Sequence, residues 1–184
     1  MFGEQFEPDQ KRRDFEHYEA ICVRDSSLSA STQAIVAAEV GHLDLALDYL
    51  AECALIDLVD HHRNAADGLH LACLAGAWNV VAAGFGGLCH QDGKLKLHPR
   101  LPDALDHLRF GFHYRRRRIV VTIRRTEATY QLLDGDPIEL LHHGTAHTLG
   151  ADGLVLPVPE PPQLPRPHQP PGRAPRRVPR STLE

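Results

Sequence analysis

The stretch Arg24-Asp25-Ser26-Ser27-Leu28-Ser29 sets three hydroxyls just ahead of a run with helical periodicity. Hydroxyls or a carboxylate in that position can accept hydrogen bonds from the unpaired amides of a helix start. The same amides, with the positive end of the helix behind them, also suit a bound anion. On the residues alone both readings stand. His70 is the second candidate. It lies in a stretch, Leu69 to Leu88, that carries no charged side chain and only one other strongly polar residue, Asn79. The remaining histidines form no ligand set: of the thirteen, His61-His62 and His142-His143 are adjacent pairs, and neighbours project to different sides of a helix or strand. They are expected in loops, without a metal or other cofactor. Asp57, Asp60 and Asp67 bracket a turn but have no spacing that marks an acid and its partner.

The elements that must position these residues follow from the hydrophobic period. A first helix is expected from about Ser31 to Val40, ending at Gly41, a residue suited to a left-handed cap. A second begins near His42-Leu43-Asp44 with Leu43, Leu47, Leu50, Ala54 and Leu58 on one face, and fails at the polar run Asp60 to Asn64. The third is the apolar stretch around Leu69, Ala72, Gly76, Val80 and Ala83, whose small residues allow close helix contacts. A shorter helix is expected around Gln10 to Glu16. Three consecutive helices with short connections predict antiparallel helical packing.

The texture changes at Gly86-Gly87. Leu108, Phe110, Phe112 and Tyr114 alternate with polar residues, and Ile119, Val121 and Ile123 begin a return strand after a turn at Arg115 to Arg118. Further strands are expected at Ala128 to Leu132, Ile138 to Leu141 and Ala146 to Leu149. This predicts a meander or sandwich of antiparallel strands over residues 90–155. From Pro157 onward ten of 28 residues are proline, and the tail is expected to be extended or disordered.

Bulk properties limit the partners. The net charge of -4 gives no general affinity for nucleic acid, and four arginines at a hairpin tip read as a solvated turn. No stretch reads as a membrane span, no apolar leader follows Met1, and the four single cysteines fit buried free thiols in a reducing compartment, so the cytoplasm is the expected location.

Several of these segments together resemble one family. Arg24 to Ser29, Ala37-Ala38-Glu39-Val40-Gly41-His42-Leu43-Asp44, Asn64 to Ala72, Gly76-Ala77-Trp78, Gly84 to Leu88 and Pro99-Arg100-Leu101-Pro102 look like the C-terminal end of glycoside hydrolase family 65. That family includes maltose, trehalose and kojibiose phosphorylases and some hydrolases. The resemblance implies an α+β chain holding the last helices of an (α/α)6 barrel over residues 1–88 and a C-terminal β-sandwich over 89–156; the disordered Pro/Arg-rich tail expected over 157–184 has no counterpart in it. It also implies a phosphate pocket built partly from Ser26, Ser27, His70 and Gly76, with inorganic phosphate and an α-linked glucose disaccharide as ligands of the whole enzyme. The family's general acid lies in an earlier barrel segment, and no position here matches its motif. Ala65 and Arg116 depart from the family's usual Thr and Gly. With the tail and the missing front, they suggest a truncated or decaying copy; a competing reading is a subunit that completes a barrel supplied by a separately encoded chain, and the partner expected is an upstream chain or a second copy in a homodimer. A non-catalytic carbohydrate- or protein-binding module is the alternative function.

Overall fold

The computed structural model describes residues 6–60, 65–162 and 164–175, so the expectations placed on His61 to Asn64 lie outside it. The chain divides into two units: one runs to Val80 and takes in the segment beyond Gln163, and the other is Val81–Pro162.

The first unit contains α1 (Pro8–Glu19), α2 (Ser29–Val40), α3 (Leu43–Leu55) and α4 (Leu71–Asn79). Pro8 opens α1, where a missing amide costs nothing. Gly41, at φ +102°, ends α2. Its amide reaches the Ala38 carbonyl and the His42 amide reaches Ala37, the paired bonds of a Schellman cap. Ala30, Ala34, Ala37 and Ala38 form the buried side of α2, and stubble this short lets α3 approach closely.

Of the face expected for α3, Leu43 is buried, but the rest of the buried face is not the expected one. It is centred on Leu45, Ala46, Tyr49 and Cys53, whereas Leu58, beyond the helix, is 80% exposed. The reason is Tyr49, fully buried because its hydroxyl bonds the Glu19 carboxylate. A satisfied polar tip removes the cost that hydropathy assigns to tyrosine. In α4, Cys73 and Gly76 face inward while Leu71, Leu74 and Trp78 are exposed on the other side.

The expected disorder of the tail is also corrected for residues 164–175. They are extended, as their prolines dictate, but Arg166 pairs with Asp48 at 2.5 Å, Gln169 donates to Glu19 at 2.7 Å, and Arg173 pairs with Asp25 at 2.7 Å. Polar side chains anchor the segment, and Pro175 at its end is buried. Its end, residues 176–184, lies outside the described residues.

The π-helical turns Val80–Phe85 follow α4, and the second unit carries eight strands: β1 (Cys89–Gln91), β2 (Lys94–Leu97), β3 (His107–Tyr114), β4 (Arg117–Arg124), β5 (Glu127–Asp134), β6 (Ile138–His142), β7 (Thr145–Leu149) and β8 (Leu154–Pro157). They form two sheets, in the orders β1-β2-β6-β7 and β3-β4-β5-β8. One core takes Leu95, Leu97, Phe110, Ile119, Val121, Tyr130, Leu140 and Leu149. The sheets are not wholly antiparallel: β2 pairs in parallel with β6, Leu95 opposite Leu140. A long crossover, which carries the whole of β3, β4 and β5, makes that pairing, and local alternation cannot reveal it. The Arg115-Arg116 turn has φ of +47° and +63°, the two-residue hairpin geometry that usually takes glycine. His142 is buried between the Tyr130 hydroxyl at 2.7 Å and the Pro157 carbonyl at 2.8 Å. Among the described residues no helix is long and apolar enough to cross a membrane.

Candidate functional site

The Ser26-Ser27 turn does not cap α2 in the expected way. The capping position is Leu28, with no side-chain bond to the helix, and Ser26 Oγ instead accepts the Leu28 amide at 3.3 Å. This is a local serine turn. It leaves the first amides of α2 without a side-chain cap and places Ser26 at the surface and Ser27 half-buried.

Two contacts bring this turn to the start of α4. The Cys73 thiol, in the first turn of α4, donates to the Ser27 carbonyl at 3.2 Å. Further along, Gly76 lies against Ser31: a Cβ built on Gly76 would meet Ser31 Cβ at 2.7 Å and Oγ at 2.8 Å. Gly76 therefore lets α2 and α4 touch. Its place is inside α4, behind the residues that open the helix.

His70 immediately precedes α4. Asp57, just past the end of α3, holds it twice: Oδ1 lies 2.6 Å from Nδ1, and Oδ2 accepts the His70 backbone amide at 3.0 Å. The bond from the imidazole lowers the Asp57 pKa below the ordinary carboxylate value, so the carboxylate form is favoured. Sequence spacing missed this pair because its members are 13 residues apart, across a turn.

A second arrangement that spacing missed holds Arg24. At φ +53° it occupies a backbone region few non-glycine residues adopt. Its guanidinium donates to Gln33 Oε1 at 3.1 Å, to the Glu52 carboxylate and to the Arg173 carbonyl. Its plane sits 4.5 Å above the Tyr49 ring. Beneath it, buried Glu19 accepts from Gln33, Tyr49 and Gln169. Burial, with the Glu19 bond, raises the Tyr49 pKa and keeps the phenol neutral. Burial likewise pushes the Cys53 thiol up to about 12, so Cys53 is no nucleophile. Among the described residues no group of histidines, cysteines and carboxylates could hold a metal ion.

The arrangement thus consists of two adjoining helix starts, each with its positive end, one bearing a serine pair and the other a carboxylate-held imidazole. Such a constellation can receive an anion. Comparison with known proteins agrees on the class. The glycosyl hydrolase family 65 central catalytic domain matches residues 1–79, and the C-terminal domain of the same family matches residues 88–149. The chain belongs to glycosyl hydrolase family 65.

An uncharacterized glycosyl hydrolase of Mycobacterium leprae is 50% identical over 174 residues, covering 92% of this chain and 22% of the relative. The alpha,alpha-trehalose phosphorylase of Thermoanaerobacter brockii is 37% identical over 139 residues, covering 76% of this chain and 18% of the enzyme. The maltose phosphorylase of Bacillus subtilis is 34% identical over 140 residues, with the same coverage of 76% and 18%. The chain therefore spans about a fifth of the length of these relatives. A putative kojibiose phosphorylase from the human microbiome has the same fold over 89% of this chain and 24% of that one, with a TM-score of 0.81 at 22% identity.

Proposed function

We propose that this chain forms part of an inverting disaccharide phosphorylase and contributes part of its phosphate cradle. Supporting the reading is the meeting of the Ser26-Ser27 turn with the start of α4, where Asp57 holds His70. In the proposed reaction a phosphate oxygen attacks the anomeric carbon of an α-glucoside. The bond from that carbon to the bridging oxygen breaks, and the departing oxygen takes a proton from a general acid, giving a sugar 1-phosphate and a free sugar. Ser26 and Ser27 donate hydroxyl hydrogen bonds to phosphate, and the His70 imidazole, oriented by Asp57, contacts the anion. Gly76 supports the cradle by bringing α4 against α2. No residue of this chain matches the acid's motif, so the chain is read as one part of the catalytic machinery.

The test has two arms. Incubated with trehalose, maltose or kojibiose and inorganic phosphate, the chain should form no sugar 1-phosphate. In a phosphate titration followed by 31P NMR, it should bind the anion, and His70→Ala should weaken binding about tenfold, as expected for one charge-assisted hydrogen bond. Turnover by the chain alone would overturn the assignment of the acid elsewhere. Equal phosphate binding by wild type and His70→Ala would overturn the cradle.

A further inference from the structure

We propose that the proline-rich segment Leu164 to Ala174 is a positioning strap for the Ser26-Ser27 turn, acting through Arg24 and Asp25. The proposal rests on the reading of that turn as part of an anion cradle.

The two residues that lead into the serine pair are both held by the segment. The Arg173 carbonyl accepts from the Arg24 guanidinium, and the Arg173 guanidinium pairs with Asp25. Arg24 links three elements at once, since its other partners are Gln33 on α2 and Glu52 on α3. With its side chain only 8% exposed, Arg24 cannot exchange a lost protein acceptor for bulk water without moving. Its left-handed backbone then has to be stabilised by these bonds, and the direction in which the chain enters Ser26 follows from it.

The rest of the segment braces the same network from below. Gln169 donates to both Glu19 and the Tyr49 hydroxyl, and Arg166 pairs with Asp48 on α3. Glu19 is 3% exposed, and each donor it keeps offsets the burial of its charge. The prolines gain a role here. Pro165, Pro167, Pro170 and Pro171 restrict the free segment, so less entropy is lost when it docks. A turn with the Arg173 amide on the Pro170 carbonyl at 3.0 Å, and Gly172 at φ +73°, directs Arg173 back to Arg24 and Asp25.

The proposal is tested in the full chain with Arg166→Ala, Gln169→Ala and Arg173→Ala combined, and with Arg173→Lys alone. Amide hydrogen exchange of residues 24–29 and phosphate affinity by 31P NMR are measured for each. The triple variant should keep its helical circular dichroism, exchange residues 24–29 at least about tenfold faster, and bind phosphate about tenfold more weakly, as expected when ordering worth one hydrogen bond is lost. Arg173→Lys keeps the main-chain bond to Arg24 and a cation for Asp25, and should show little of either effect. Unchanged exchange in the triple variant overturns the strap. Faster exchange with wild-type phosphate affinity overturns its positioning role. A wild-type chain that binds no phosphate overturns the cradle instead, and the exchange rates still decide whether the segment orders the turn.

Discussion

Gly76→Ala offers a sharp test of how α4 is held at the site. Replacing glycine by alanine inside an exposed helix normally stabilises it by about 0.8–1 kcal/mol. Here the added methyl would sit 2.7 Å from Ser31 Cβ, where carbon atoms prefer about 3.5–4.0 Å. A Cβ cannot rotate away, so the two helices must separate. Overpacking of this kind costs about 1–3 kcal/mol, and the rigid obstacle argues for the upper end. The net expectation is a loss of about 2 kcal/mol. Trp78, the one tryptophan, lies two positions further along α4, so its fluorescence during urea unfolding reports on this helix. Ser31→Gly opens the space, and the double variant should return to within about 1 kcal/mol of wild type, the shortfall being the glycine's cost in α2. Ser31 Oγ also donates to the Leu28 carbonyl at 3.1 Å, so Gly76→Ala should weaken phosphate binding as well. A variant more stable than wild type would refute the close contact, because helix propensity alone would then be deciding the outcome.

Three other outcomes follow from the geometry. Burial, with the neighbouring charges of His142, His98 and Arg100, lowers the His143 pKa to about 4, and burial lowers His142 in the same direction. The unfolded chain therefore binds more protons below about pH 6.5. The sandwich should lose stability as pH falls from there to about 4, and His143→Asn, which suits the left-handed turn at φ +45°, should flatten that slope in denaturant titrations. Arg116→Gly, at φ +63°, should raise stability by about 1 kcal/mol and the melting temperature by about 4–8 °C, measured by scanning calorimetry. Leu71, Leu74 and Trp78, exposed by 70%, 39% and 48% along one side of α4, should bind a hydrophobic dye and drive self-association, and Leu71→Glu should reduce both in light scattering.

Much of this was legible because it is local. The change of period near Gly87, the Gly41 cap and the alternation from Leu108 to Tyr114 depend on neighbours in sequence, and the helices and strands formed where those patterns lie. The resemblance supplied the family from short motifs spread along the chain. Long-range pairing was not legible. Asp57 finds His70 only after α3 and α4 are packed, and β2 meets β6 only after three intervening strands. Hydropathy misplaced the inner face of α3 because it gives no credit for the Glu19 acceptor beneath Tyr49. Composition read the tail as unable to bury enough surface to fold, yet Val158 joins the sandwich core and arginine and glutamine side chains anchor residues 164–175.

The strap also sets an order in time. Glu19 and Arg24 lie 150 and 149 residues before their partners Gln169 and Arg173. At a synthesis rate of roughly 5–20 residues per second, that separation is roughly 8–30 s of translation. During that interval every strand of the sandwich emerges with its pairing partners, whereas Glu19 and Arg24 wait for Gln169 and Arg173. The helical unit, which precedes the sandwich in the chain, is completed after it.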